Sequence, residues 1–106
     1  MPTFLWRASY TAEGAKGLVK DGGSKRRDVV QQMVTKAGGK LIAFYFAVGD
    51  DDVVGIAEFP DLATAVGLSI AINASGAVNF HTTMLLSPEE MDAATKMSIG
   101  YRAPGA

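Results

Sequence analysis

The chain has 106 residues, enough for one domain with a true core and too few for two. Its 48% hydrophobic content is that of a globular protein, and ten basic against eleven acidic residues leave a net charge of −1, which gives no overall attraction to nucleic acid or an anionic membrane. With no cysteine, disulfides, thiolate nucleophiles and thiolate metal sites are excluded.

The opening MPTFLWRASY has no basic segment followed by a long apolar run, as a secretory signal would. No stretch approaches the roughly 20 apolar residues of a membrane helix. The expectation is a cytoplasmic, soluble protein. TFLWRASY (3–10) reads as a strand, and Thr11 is placed to cap a short helix that runs to Val19 and stops near DGG. Ser24 is the expected cap of a second helix, in which Val30, Met33, Val34 and Ala37 recur at helical spacing before Gly38 and Gly39 end it. KLIAFYFAV (40–48) and VVGIAEF (53–59) read as strands around three aspartates. Pro60 and Asp61 open a third helix with Leu62, Val66 and Ile70 on one stripe and Ala65, Leu68 and Ile72 beside it. AVNFHTTMLL (77–86) is a fourth strand, and Ser87, Pro88 and Glu90 form a capping-box start for a terminal helix. The order βαββαβ plus a helix predicts an α+β, ferredoxin-like domain with a four-stranded antiparallel sheet, spanning 1–106.

The aspartates fit a turn. With Val48 opposite Val53, GDDD (49–52) is a four-residue hairpin loop whose carboxylates can bond their own backbone. A divalent cation needs oxygens converging on one point, whereas three adjacent side chains on a tight turn diverge. The sequence predicts neither a metal site nor a cofactor.

That register sorts side chains onto two faces. Ile42, Phe44, Phe46 and Val48 join Val53, Gly55, Ala57 and Phe59 on the expected helix side, where Phe4 and Trp6 also fall. Leu41, Ala43, Tyr45 and Ala47, with Val54, Ile56 and Glu58, take the other side, together with Leu5, Arg7 and Ser9 and with Asn79, His81, Thr83 and Leu85. A one-residue slip would reverse each assignment. This second face is apolar enough to need cover, and a chain with no spare element can supply it only as a homodimer or higher oligomer.

The same face gathers Arg7, Tyr45, Glu58, Asn79 and His81. One reading is a small-molecule pocket with Arg7, Tyr45, Asn79 and His81 as ligand contacts and His81 or Glu58 as the candidate catalytic proton carriers. The other is an interfacial Arg7–Glu58 salt bridge with Tyr45 and His81 as packed, hydrogen-bonded rings. Further along, DGGSKRR (21–27) could hold an anion on Ser24, Lys25 and Arg26 at a helix N-terminus, or simply cap that helix. It lacks the order of a Walker loop, and no basic surface suggests nucleic acid.

SYTAEGAKGLVKDGGSKRRDVV (9–30), GGKLIAFYFAVGDDDVV (38–54) and NASGAVNFHTTMLLSPEEMD (73–92) together resemble the GYD-domain family of the dimeric α/β-barrel superfamily. The family's eponymous turn reads Gly, any residue, Tyr, Asp; here it is Gly49, Asp50, Asp51, Asp52, with Asp51 in place of the tyrosine. The resemblance implies a ferredoxin-like protomer whose open sheet packs on a partner to close a barrel. It implies no activity, since related branches include cofactor-independent monooxygenases, isomerases, haem-degrading enzymes and ligand-binding stress proteins. Two classes follow: an oligomeric small-molecule-binding or accessory module, or a cofactor-independent enzyme of the isomerase or monooxygenase type.

Overall fold

A computed structural model describes residues Met1–Ala106. The elements are β1 (Thr3–Tyr10), α1 (Ala12–Asp21), α2 (Gly23–Lys36), β2 (Lys40–Phe46), β3 (Val53–Glu58), α3 (Leu62–Ala74), β4 (Val78–Leu85) and α4 (Pro88–Thr95). The strands form one antiparallel sheet in the order β2-β3-β1-β4. The α1–α2 pair crosses from β1 to β2 and α3 from β3 to β4, which is the ferredoxin-like α+β arrangement.

Period-two alternation decides which strand residues enter the core. On β1, Phe4, Trp6 and Ala8 are buried against the helices while Arg7 between them is exposed. β3 contributes Val53 and Ala57, β4 contributes Val78 and Phe80, and α2 contributes Val30 and Val34 at a four-residue spacing. Trp6 sits at the centre, edge-on to Phe80 at 5.3 Å and tilted against Phe59 at 6.0 Å. Its neighbour across the sheet is Gly55, where an added Cβ would press on the Ala43 carbonyl at 3.0 Å.

Local chemistry seats the helices. The Thr11 hydroxyl accepts from the Gly14 N–H and donates to the Gly76 carbonyl, while the Thr11 N–H donates to the Ala77 carbonyl. This pins the start of α1 beside the start of β4. A Cβ on Gly14 would collide with that Ala77 carbonyl, so only glycine permits the approach. At the far end of α3, the Asn73 amide accepts from the Phe80 N–H and donates to the Phe80 carbonyl, clamping the helix to β4. α4 has the full capping box, with Ser87 and Glu90 bonded reciprocally and Pro88 in the first turn.

Four expectations are corrected. Ser24 does not cap α2: Gly22, at φ +82°, ends α1 and itself precedes α2, so the bend is made by backbone freedom and no side chain caps it. The hairpin pairs Phe46, not Val48, with Val53, so the connection is longer than GDDD and Val48 is fully exposed. The two-residue shift keeps each face intact, because the side-chain period is also two. A bulge between Leu41 and Ala43 does change faces: Leu41 pairs with Ala57 and packs on the core, leaving Ile42 half exposed. Finally, Leu62, Val66 and Ile70 of α3 stay exposed, and only Ala65, Leu68 and Ile72 face the core.

The last segment does not join this body. No residue of α4 is buried, and Met91, Met97, Ile99 and Tyr101 are exposed. The radius of gyration is 17.0 Å, against about 13 Å for a compact chain of roughly this length, and the long axis is 57 Å.

Candidate functional site

The face of the sheet turned away from the helices carries the polar residues singled out above. The strand register places His81 on β4, Arg7 on β1, Val54 on β3 and Tyr45 on β2 directly opposite one another, in a single row across all four strands. With strands about 4.8 Å apart, the row spans roughly 14 Å from His81 to Tyr45. Asn79 lies two residues from His81, opposite Ser9. The next row consists of Thr83, Leu5, Ile56 and Ala43. Leu5, Val54 and Ile56 are half-buried, while Arg7, Asn79 and His81 are exposed and Tyr45 is 71% exposed. The floor is apolar and its polar groups stand open to solvent in the single chain.

Glu58 stands apart. It faces Thr3 and Lys40, four positions along β3 from Val54 and so about 13 Å from the polar row. Within one chain Arg7 and Glu58 form no salt bridge; Arg7 instead approaches Asp51, with Nη1 3.8 Å from Oδ2. Glu58 and His81 share no site within one chain.

The aspartates of the hairpin loop divide their roles. Asp52 accepts from the Tyr10 N–H at 2.8 Å, and its own N–H donates to the Ala8 carbonyl at 2.8 Å, so it fastens the loop to the end of β1. Asp51 turns to Arg7, and Asp50 is exposed. These bonds reach another strand rather than the turn itself, as the sheet order brings the β2–β3 connection beside β1. The Asp51–Arg7 contact is the feature missed in sequence. The register Ala8 opposite Val53 is the signal that could have found it, since it sets residue 51 near Arg7 and Ser9.

The candidate anion residues separate. Lys25 pairs with Asp21 at 3.5 Å, and Arg27 with Asp28 at 3.1 Å. Arg26 turns to a helix-side cavity lined by Trp6, Tyr10, Met33 and Phe44, whose volume of about 30 Å³ holds no more than one water. Ser24 lines a shallow groove with Gly23, Arg27 and Tyr45. No one point receives Ser24, Lys25 and Arg26 together.

Asp61 is the ionisable group with a clear perturbation. Its carboxylate caps α3 by accepting from the Thr64 N–H and hydroxyl, both at 2.8 Å, and these bonds hold its pKa below the usual carboxylate range. It lies at a helix start, away from the polar row, and its task is structural.

Among known proteins, the chain is 28% identical over 96 residues to the glutamine synthetase and cystathionine beta-lyase binding protein of Thermus thermophilus, covering 91% of this chain and all of that one. Among solved structures it is similar to MtbAldR, at 20% identity and a TM-score of 0.57 over 81% of this chain. That likeness is one of fold, and the chain spans about half the length of MtbAldR, 52%. The model of the GYD domain matches residues 4–95, and the chain belongs to the GYD domain family.

Proposed function

We propose that this protein is an oligomeric accessory module: two copies associate through the open sheet face, and the assembly binds a partner enzyme. The carrying observation is the single row His81–Arg7–Val54–Tyr45 on an otherwise apolar, half-exposed sheet. Burying Leu5, Val54 and Ile56 supplies the driving force, at about 25 cal/mol for each Å² of apolar surface removed from water. The row then lies between copies, where Arg7, Tyr45, Asn79 and His81 line a pocket for a small anionic or aromatic molecule.

The accessory role is supported by the relative from Thermus thermophilus, whose name gives glutamine synthetase and cystathionine beta-lyase as its partners. Sequence similarity extends over the whole of that protein, so a partner of one of these two kinds is the first to test. Native mass spectrometry of the protein, alone and mixed with purified glutamine synthetase or cystathionine beta-lyase from its own organism, tests both halves. A dimer that forms a complex with either enzyme supports the reading. A monomer at micromolar concentration refutes the sheet-face association, and a dimer that binds neither enzyme refutes the accessory role as stated.

A further inference from the structure

The open face of the sheet carries two opposite charges on either side of an apolar middle. Leu5 on β1 and Ile56 on β3 pair directly there, and both are half-buried. Arg7 lies two residues from Leu5 toward one end of the face, and Glu58 lies two residues from Ile56 toward the other. Each charge is thus about 7 Å along its strand from the apolar pair.

Neither charge is fully matched within the chain. Glu58 is half-buried, yet no cation pairs with it: Lys40, opposite on β2, stays beyond ion-pair distance, and the salt bridges are Arg7–Asp51, Lys25–Asp21 and Arg27–Asp28. Arg7 meets Asp51 at 3.8 Å, a loose contact, and keeps 52% of its side chain exposed. Covering this face with an apolar surface would take both charges out of water, at a cost that only an opposite charge offsets. A second copy of the chain brings one for each.

The symmetry of such a contact is demanding, and the face meets it. About a two-fold axis, if Arg7 of one copy meets Glu58 of the other, the reverse pair forms as well, and the axis passes midway between the two positions. That midpoint is the Leu5–Ile56 pair, so each of these apolar side chains stacks on its own counterpart while both charged pairs close. Glu58 lies one strand across and four residues along from the Arg7 row, about 4.8 by 13 Å, which makes the strands of the two sheets cross at roughly 40°. Sheets packed face to face are about 10 Å apart and cross at about 30°, so the arrangement that joins the charges is close to one that twisted sheets adopt.

We propose that Arg7 of each copy pairs with Glu58 of the partner subunit, twice about one two-fold axis through the Leu5–Ile56 pair. The inference rests on the sheet-face association proposed above and fixes its register, as complementary charges do. The polar row then takes its acid from the second copy. Glu58 and His81, which share no site within one chain, meet across the interface beside Arg7, whose neighbour on β4 is His81.

Charge reversal tests the pairing. Arg7→Glu sets acid against acid at both ends of the contact and Glu58→Arg sets base against base, so each variant alone is expected to raise the dimer Kd at least about tenfold. Mixed one to one, the two variants restore opposite charges at both ends. Native mass spectrometry with one variant isotopically labelled is expected to show heterodimer well in excess of both homodimers. A mixture without that excess, or single variants that dimerise as the parent does, overturns the pairing and leaves the sheet-face dimer standing. A parent protein that is monomeric at micromolar concentration overturns both. Arg7→Gln, Glu58→Gln and their double variant give a second reading with no charge reversed: the effects on Kd are expected to be coupled, and purely additive effects overturn the proposal.

Discussion

The two faces of the sheet are built from the same four strands and differ in what finishes them. On the helix side, Phe4, Trp6, Val53, Ala57 and Phe80 meet side chains from α2 and α3, and this core is closed within the chain. On the other side, Leu5, Val54 and Ile56 have no layer above them, and a charged and aromatic row crosses the middle. The first face is complete in one copy. The second leaves half-buried apolar residues and exposed polar ones open in the single chain, and substitutions there leave the closed core untouched.

Substitutions on the two sides should therefore separate stability from association. Trp6→Ala removes the centre of the closed core and should cost about 3–5 kcal/mol in chemical denaturation; a loss below 1 kcal/mol would show that the helix side is loosely packed. Gly14→Ala drives a Cβ into the Ala77 carbonyl and should cost about 1–3 kcal/mol, as overpacking does. Hydrogen exchange should then quicken first in α1 and at the start of β4, the two segments joined there.

On the open side the effect should change in kind. Ile56→Ser is expected to alter the stability of a single subunit by about 0.5 kcal/mol and to abolish dimerisation in analytical ultracentrifugation. A dimer retained at full strength would show that the open face is not the contact.

The smallest effect concerns a group on neither face. The pKa of Asp61 is depressed in the folded chain, so its contribution is present above the unfolded value and is lost as pH falls through the folded one. Asp61→Ala should lower Tm slightly at neutral pH, and the gap from the parent should narrow below the usual carboxylate range. A gap independent of pH would mean that the carboxylate charge has no part in the cap.

Much of this architecture is legible in the residues. The alternation of β1, the capping role of Thr11, the Ser87–Glu90 box and the burial of Trp6 all follow from local patterns, because each depends on neighbours close in sequence. Most of what sequence misplaced depends on partners far along the chain, and one miss is local. The bulge at Ile42 exists only relative to β3, so alternation alone carried Leu41 to the wrong side. Ser24 has the right chemistry for a cap, but Gly22 turns the chain two residues too early for it. The polar row was legible in part: alternation put Arg7, Tyr45 and His81 on one face, and only the register shows that they stand abreast while Glu58 does not. The pairing of Asp51 with Arg7 needed the sheet order as well.

The bulge has a consequence for how far such a molecule can aggregate. β4 offers a visiting strand eight regular residues, but β2, at the opposite margin, offers a ladder interrupted at Ile42. Strand-by-strand growth of a fibre needs one margin of each molecule to dock on the other margin of the next. With β2 irregular, that head-to-tail step is disfavoured. Pairing of β4 with β4 uses up the regular margin of both molecules and stops at two. The misplaced residue thus keeps marginal encounters finite, a safeguard that a perfectly paired β2 would lack.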